Sequence, residues 1–163
     1  MIGNRGDASY IREWVRDEQY ASDNTYTCPE WAPEGWKFLG RGCYRAAYLS
    51  PDGVVYKVQH ATGLYQGQCN WAEYKRYNFL RFSHKMPEGA RFPLIQCFRF
   101  SGGDDVNAMD HVGPALSRYS GGDYRTYSNC YKRVARLLGL WDSHDGNAAV
   151  DEKNKLVVPI DLG

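Results

Sequence analysis

The sequence predicts an α+β fold, and three observations carry that prediction. Short β-forming runs between Trp36 and Asp110 are broken by glycine turns. One strongly amphipathic helix is expected from Tyr127 to Leu140. A hydrophobic hairpin, Ala148 to Ile160, closes the sequence. Strands dominate the first part, and a helix with a hairpin dominates the second.

Each element has its own signal. Asp7 to Tyr20 reads as a short amphipathic helix capped by Asp7 or Ser9, with Ile11, Trp14 and Val15 on one face. Pro29, Pro33 and Gly35 mark a loop from Ala21 to Gly35. Three strands follow: Trp36 to Leu39, Arg45 to Leu49, and Val54 to Val58 after the turn Pro51-Asp52-Gly53. Gly67 to Phe82 reads as a helix. Phe92 to Phe100 and Val106 to Asp110 read as strands around a Ser101 to Asp105 turn. Gly113 to Asp123, with three glycines, is a loop or hinge. In the next helix Tyr131, Val134, Leu138 and Trp141 form the apolar stripe, with Lys132, Arg133 and Arg136 off it. Residues 151–154 form the turn of the closing hairpin.

Composition narrows the classes of function. The 163 residues suffice for one domain or for two small lobes sharing a cleft. With 20 basic and 19 acidic residues the formal charge is +1, which gives no electrostatic case for nucleic acid or an anionic membrane. Hydrophobic content of 43% marks a packed chain rather than a disordered one. No apolar run approaches the roughly 20 residues of a spanning helix. The first residues carry no apolar signal-peptide core. Cys28, Cys43, Cys69, Cys97 and Cys130 form no C-x-x-C pair, so free thiols in a reducing cytosol are expected.

Several residues carry potential chemistry. Gly40-Arg41-Gly42 lies between two strands, where glycines allow positive φ and close approach to phosphates; a tight hairpin that needs glycine is the simpler explanation. Lys57 shares a strand face with Val55, opposite Val54, Tyr56 and Val58. Taken alone, it reads as an edge-strand lysine that blocks aggregation. Glu73 sits on a mostly apolar helix face with Cys69, Tyr77 and Leu80, and a carboxylate there requires a partner. Lys57 is the natural one, and a surface pair with Arg76 is the alternative. Asp142 follows the amphipathic helix and can accept or orient the proton of an attacking hydroxyl. Asn147 and Asp161 offer an amide oxygen and a carboxylate, hard ligands that suit Mg²⁺. Ordinary roles stand beside these: Asp142 as a helix cap, Asn147 in a turn, Asp161 solvated. Asp145 reads as a turn residue and His144 as one that orients the loop. His60, His84 and His111 show no ligand spacing and read as structural or surface groups.

The order of these parts resembles the protein-kinase-like fold in minimal form: glycine loop, strand lysine, helix glutamate, Asp-x-x-x-x-Asn, Asp-x-Gly. Asp142-Ser143-His144-Asp145-Gly146-Asn147 is similar to the D-L-H-x-G-N loop of small-molecule and atypical kinases, among them aminoglycoside and choline kinase relatives. The phrase Ser50-Pro51-Asp52-Gly53-Val54-Val55-Tyr56-Lys57-Val58 resembles small kinase-like proteins of bacteriophages. The resemblance covers residues 36–163.

That resemblance implies an antiparallel N-lobe sheet with one helix, and a truncated helical C-lobe ending at Asp161-Leu162-Gly163. It divides the chain into an extension over 1–35, a nucleotide-binding region over 36–112, and a catalytic loop with a metal-binding hairpin over 113–163. ATP and Mg²⁺ are the implied cofactors. Gly40 and Gly42 would cover the phosphates. Lys57 would hold the α/β-phosphates and pair with Glu73. Met109 to Val112 would form the hinge that contacts adenine. Asp142 would be the base, with Asn147 and Asp161 on the metal. Arg45 departs from the pattern by standing where a third loop glycine is expected. Leu140-Trp141 replaces the usual His-Arg or His-Gly, and no activation segment follows Gly163.

Two functions compete. One is an ATP- and Mg²⁺-dependent phosphotransferase acting on a protein or on itself, in a host cytoplasm if the source is viral. The other is a pseudokinase that binds or inhibits a partner protein, a host protein if the source is viral. An unrelated α+β domain with chance motifs would leave Lys57 and Glu73 far apart. The sequence does not set the oligomeric state.

Overall fold

The computed structural model describes residues 2–22, 27–60 and 69–162. Part of the loop expected over 21–35, the expected helix start at Gly67, and Gly163 lie outside these residues. The chain forms two compact units. One comprises Met1–Tyr74 and Leu94–His111, the other Lys75–Pro93 and Val112–Gly163.

The first unit is built on a five-stranded antiparallel sheet of order β1-β2-β3-β5-β4. Its strands are β1 (Lys37–Arg41), β2 (Arg45–Leu49), β3 (Val54–Gln59), β4 (Ile95–Phe98) and β5 (Val106–Asp110). The expected strand Phe92 to Phe100 is thus shortened to four residues. Helix α1 (Arg5–Ala21) begins two residues earlier than its pattern predicts. Its cap is Asn4, whose side-chain oxygen accepts from the Asp7 backbone N–H at 2.8 Å, rather than Asp7 or Ser9. Ala8, Ile11, Val15 and Gln19 make its buried stripe.

Alternation along the strands separates two faces. Ala46, Tyr48, Tyr56, Val58, Val106 and Ala108 point toward α1 and form the core with Ala8, Ile11 and Val15. Each fully buried valine or isoleucine side chain there contributes about 1.5–3 kcal/mol. Tyr48 is also tied through its hydroxyl to Pro29 O at 2.7 Å. At Gly3, φ is +72°, and an added Cβ would sit 2.6 Å from the Tyr56 hydroxyl, so only glycine fits. Asp104, after the β4–β5 turn, pairs with Arg12 at 3.0 Å and Arg16 at 2.6 Å, fixing α1 to that end of the sheet. Helix α2 (Cys69–Ser83) begins in this unit and continues into the second.

In the second unit, α3 (Tyr124–Leu138) buries Tyr127, Cys130, Tyr131, Val134 and Leu138. Gly139 takes a left-handed conformation with φ +65° and ends the helix. Arg76 donates to the Gly139 carbonyl at 3.0 Å and helps satisfy that terminus. Trp141 therefore does not continue the apolar stripe: it lies beyond the helix and is 93% exposed. Strands β6 (Ala148–Asp151) and β7 (Leu156–Pro159) pair antiparallel. Ala115 bridges β6 and Ala90 bridges β7, so neighbouring backbone flanks both strands. No described helix is long and apolar enough to cross a membrane.

Candidate functional site

Lys57 lies on β3, an interior strand of the sheet, so it is not the edge-strand residue that its sequence alone suggests. Its neighbours in register are Ala47 and Asn107. On this face the first turns of α2 supply Asn70 and Glu73, both fully buried. Lys57 Nζ donates to Glu73 Oε1 at 2.9 Å. Arg76, the alternative partner, is occupied at the end of α3 instead.

Glu73 has more partners than its helix position implied. Arg45 on β2 grips both carboxylate oxygens, at 2.5 Å to Oε2 and 3.1 Å to Oε1. Asn107 Nδ2 donates to Oε2 at 3.0 Å. Asn70 accepts from Arg45 through Oδ1 at 2.9 Å, and its Nδ2 donates to the carbonyls of Lys57 and Asp105. Burial raises the Glu73 carboxyl, but the cations of Arg45 and then Lys57 outweigh it and hold the group well below its ordinary range. Glu73 is thus held as a carboxylate by donors from Arg45, Lys57 and Asn107. Arg45 was legible only as a departure from a glycine pattern, and Asn70 and Asn107 carried no signal at all.

The glycine hairpin differs from its expected form. Gly40 lies inside β1, where the register to β2 shifts between Phe38 and Gly40. Neither Gly40 nor Gly42 has a positive φ. Among the described residues, a Cβ at Gly40 would meet nothing within 4 Å, and one at Gly42 only Arg45 O at 3.9 Å. The protein's own turn geometry therefore does not require glycine at either position, and among the described residues nothing crowds the Cβ side of either glycine. Beneath the hairpin, buried His60 accepts from Cys28 N–H through Nδ1 and donates from Nε2 to Gly42 O at 2.9 Å. These partners fix one neutral tautomer, and burial lowers the pKa of the ring.

The Asp142 to Asn147 loop belongs to the second unit. Asp142 has a side chain 73% exposed, with its Oδ1 3.5 Å from His144 Nε2. His144 caps the 3₁₀ turn Asp145–Asn147 by accepting from Gly146 N–H through Nδ1 at 3.0 Å. Asp145 accepts from the Tyr124 hydroxyl. Asn147 donates from Nδ2 to Asp142 O at 2.8 Å, which leaves its Oδ1 as an acceptor. Ile160 N–H donates to Asn147 O at 2.9 Å, placing Asp161 one residue from that link. Asp161, Asp142 and Asp145 all raise the pKa of the buried Tyr131 hydroxyl, secondary to its burial. The donor set fits Mg²⁺: one amide oxygen and one carboxylate, hard ligands of the number that Mg²⁺ takes from protein when phosphates and water complete its shell. Among the described residues there is no cluster of three or more His, Cys, Asp or Glu arranged for a metal.

Met109 is a buried residue of β5, a strand paired on both sides. Val112 is the first residue of the second unit's later segment. Burial pushes the thiols of buried Cys28 and half-buried Cys97 both up to about 12, away from the thiolate form.

The sequence matches no protein-family model and no curated protein. Among solved structures it is similar to a GDP and kanamycin complex of APH(2")-IIia, at 12% identity and a TM-score of 0.40. That likeness covers 77% of this chain and 39% of the other, so the chain spans well under half of its neighbour's length. At this level the similarity carries no part of the functional reading.

Proposed function

We propose that this protein is an ATP- and Mg²⁺-dependent phosphotransferase of the protein-kinase-like type, transferring phosphate to a protein hydroxyl or to itself. The buried Lys57–Glu73 pair carries the reading. A fully buried carboxylate and a lysine on an interior strand are costly to keep for structure alone, because apolar residues of similar volume serve packing at least as well. In this reading Lys57 neutralises α/β-phosphate charge, and Glu73 orients it. The backbone at Gly40 and Gly42 accepts the phosphates. Met109 to Val112 contact the adenine. Asn147 and Asp161 hold Mg²⁺, which when bound offsets negative charge on the transferring phosphate. Asp142 accepts or orients the acceptor's hydroxyl proton, and its exposure leaves it open to a second substrate.

The exposed indole of Trp141, next to Asp142, favours a second reading: a pseudokinase that presents this loop to a partner protein. ADP release and radiolabel transfer on wild type and Asp142→Ala separate the two. The enzyme loses about 10²–10⁴-fold in turnover and still binds nucleotide. Lys57→Ala weakens both binding and turnover. A wild type that binds nucleotide without turnover makes the protein a pseudokinase.

A further inference from the structure

We infer that His60 is a positioning residue for the phosphate-binding hairpin: it grips the turn between Gly42 and Arg45 and aims the Cys43 N–H toward the sheet face that carries Lys57. The inference rests on the nucleotide-binding reading of that hairpin.

The turn needs outside support. Gly42 N–H donates to Arg45 O at 2.9 Å, which leaves Cys43 and Tyr44 as a two-residue loop between β1 and β2. Loops of this length match the twist of a hairpin when one or both central residues take a positive φ. Neither Cys43 nor Tyr44 does. His60, just past β3, supplies a tie at each end of the loop. Its backbone N–H donates to Tyr44 O and its Nε2 to Gly42 O, each at 2.9 Å. The ring is buried, and Cys28 N–H holds its other edge by donating to Nδ1 at 3.0 Å.

The direction of the grip decides what the loop offers. Cys28 belongs to the core against α1, with Tyr56 and Val58, so His60 draws on the loop from that face of the sheet. Lys57 alternates with those two residues and lies on the opposite face. A trans peptide is planar, with its C=O and N–H on opposite sides. Holding Gly42 O toward α1 therefore aims the Cys43 N–H of the same peptide toward the Lys57 face. Among the described residues no acceptor takes that N–H. A phosphate oxygen attracted by Lys57 is an acceptor that suits it.

Two substitutions separate the two ring contacts. His60→Gln carries an amide N–H close to the position of Nε2 and drops the acceptor for Cys28. His60→Asn keeps an acceptor close to the position of Nδ1 and is too short to reach Gly42 O. Both variants and wild type, made with isotope-labelled cysteine, are compared by thermal melting, by calorimetric titration with Mg²⁺-ATP and by amide shifts. Cys43→Ser assigns the Cys43 signal. Each variant is expected to lose about 2–4 °C in Tm, since each gives up one buried hydrogen bond. Only His60→Asn is expected to weaken Mg²⁺-ATP by about tenfold, while His60→Gln stays within about twofold of wild type. The Cys43 amide signal should move on adding Mg²⁺-ATP to wild type and to His60→Gln, and stay in place in His60→Asn. A purely structural His60 would tie affinity to Tm and not to which contact is lost. Equal affinities in the two variants, or a Cys43 signal that nucleotide leaves unmoved in wild type, overturn the inference. Should His60→Asn fail to fold, an unmoved wild-type signal or a tenfold loss in His60→Gln, on the order that a lost contact gives, overturns it as well. If wild type binds no nucleotide, the phosphotransferase reading fails by itself. The grip on the turn is then judged from the unliganded Cys43 signal, which His60→Asn should shift and His60→Gln should not.

Discussion

Glu73 is held by partners 16, 28 and 34 residues away in sequence, whereas Asn147 and Gly146 make their loop contacts five and two residues away. The first cluster is buried and the second largely exposed. The contrast teaches how charge is positioned in each setting. Inside the first unit, desolvation makes any unpaired group expensive, so the sheet and α2 must deliver several partners at once. In the loop, water satisfies what the protein does not, and a histidine cap with an Asx-type contact is enough to set the backbone.

Substitutions sharpen this comparison, starting with the largest effect. Glu73→Ala leaves the cations of Arg45 and Lys57 without their shared anion and is expected to cost about 3–5 kcal/mol, read by denaturant unfolding. Glu73→Gln adds a pH signature. Because the folded-state pKa of Glu73 is depressed, its contribution is fully present above the ordinary value of 4.5 and is lost as pH falls through the depressed value. The stability gap between wild type and Glu73→Gln should therefore hold at neutral pH and close only in strong acid; a gap that does not depend on pH would contradict an ionised Glu73.

In the hairpin, Gly40→Ala meets no described neighbour within 4 Å and relieves a flexible strand position, so stability should stay level or rise by about 0.5 kcal/mol. The same change should weaken nucleotide binding about tenfold, seen by calorimetry, if phosphates approach this backbone. In the exposed loop, the corresponding change is His144→Ala. Loss of its contact to Gly146 N–H should cost about 1 kcal/mol or less, because the cap is exposed. A cost as large as that of Glu73→Ala would erase the distinction between the two clusters.

Much of the architecture was legible in local pattern. Strand β2 and strand β5 fall where alternation and turn residues put them, since a period of two and a Pro-Asp-Gly or Gly-Gly break act over a few residues. The apolar side of α1 and the partner proposed for Glu73 followed from periodicity and from the cost of a lone buried carboxylate. Helix ends were less legible. Asn4 and Asp7 are both competent caps, and backbone geometry selects between them. Gly139 stops α3 before Trp141 can join its stripe.

By itself the sequence determined which segments fold as strands and helices, and that a lysine and a glutamate on two of them were candidates to meet. Only the tertiary structure decided that β3 is interior rather than an edge. It also decided that Arg45 shares Glu73, that two asparagines complete the cluster, and that neither hairpin glycine serves a left-handed turn. The physical reason is range. Propensity and periodicity act between neighbours, whereas the partners of a buried charge are chosen by strand order and helix docking, which join residues far apart in the chain.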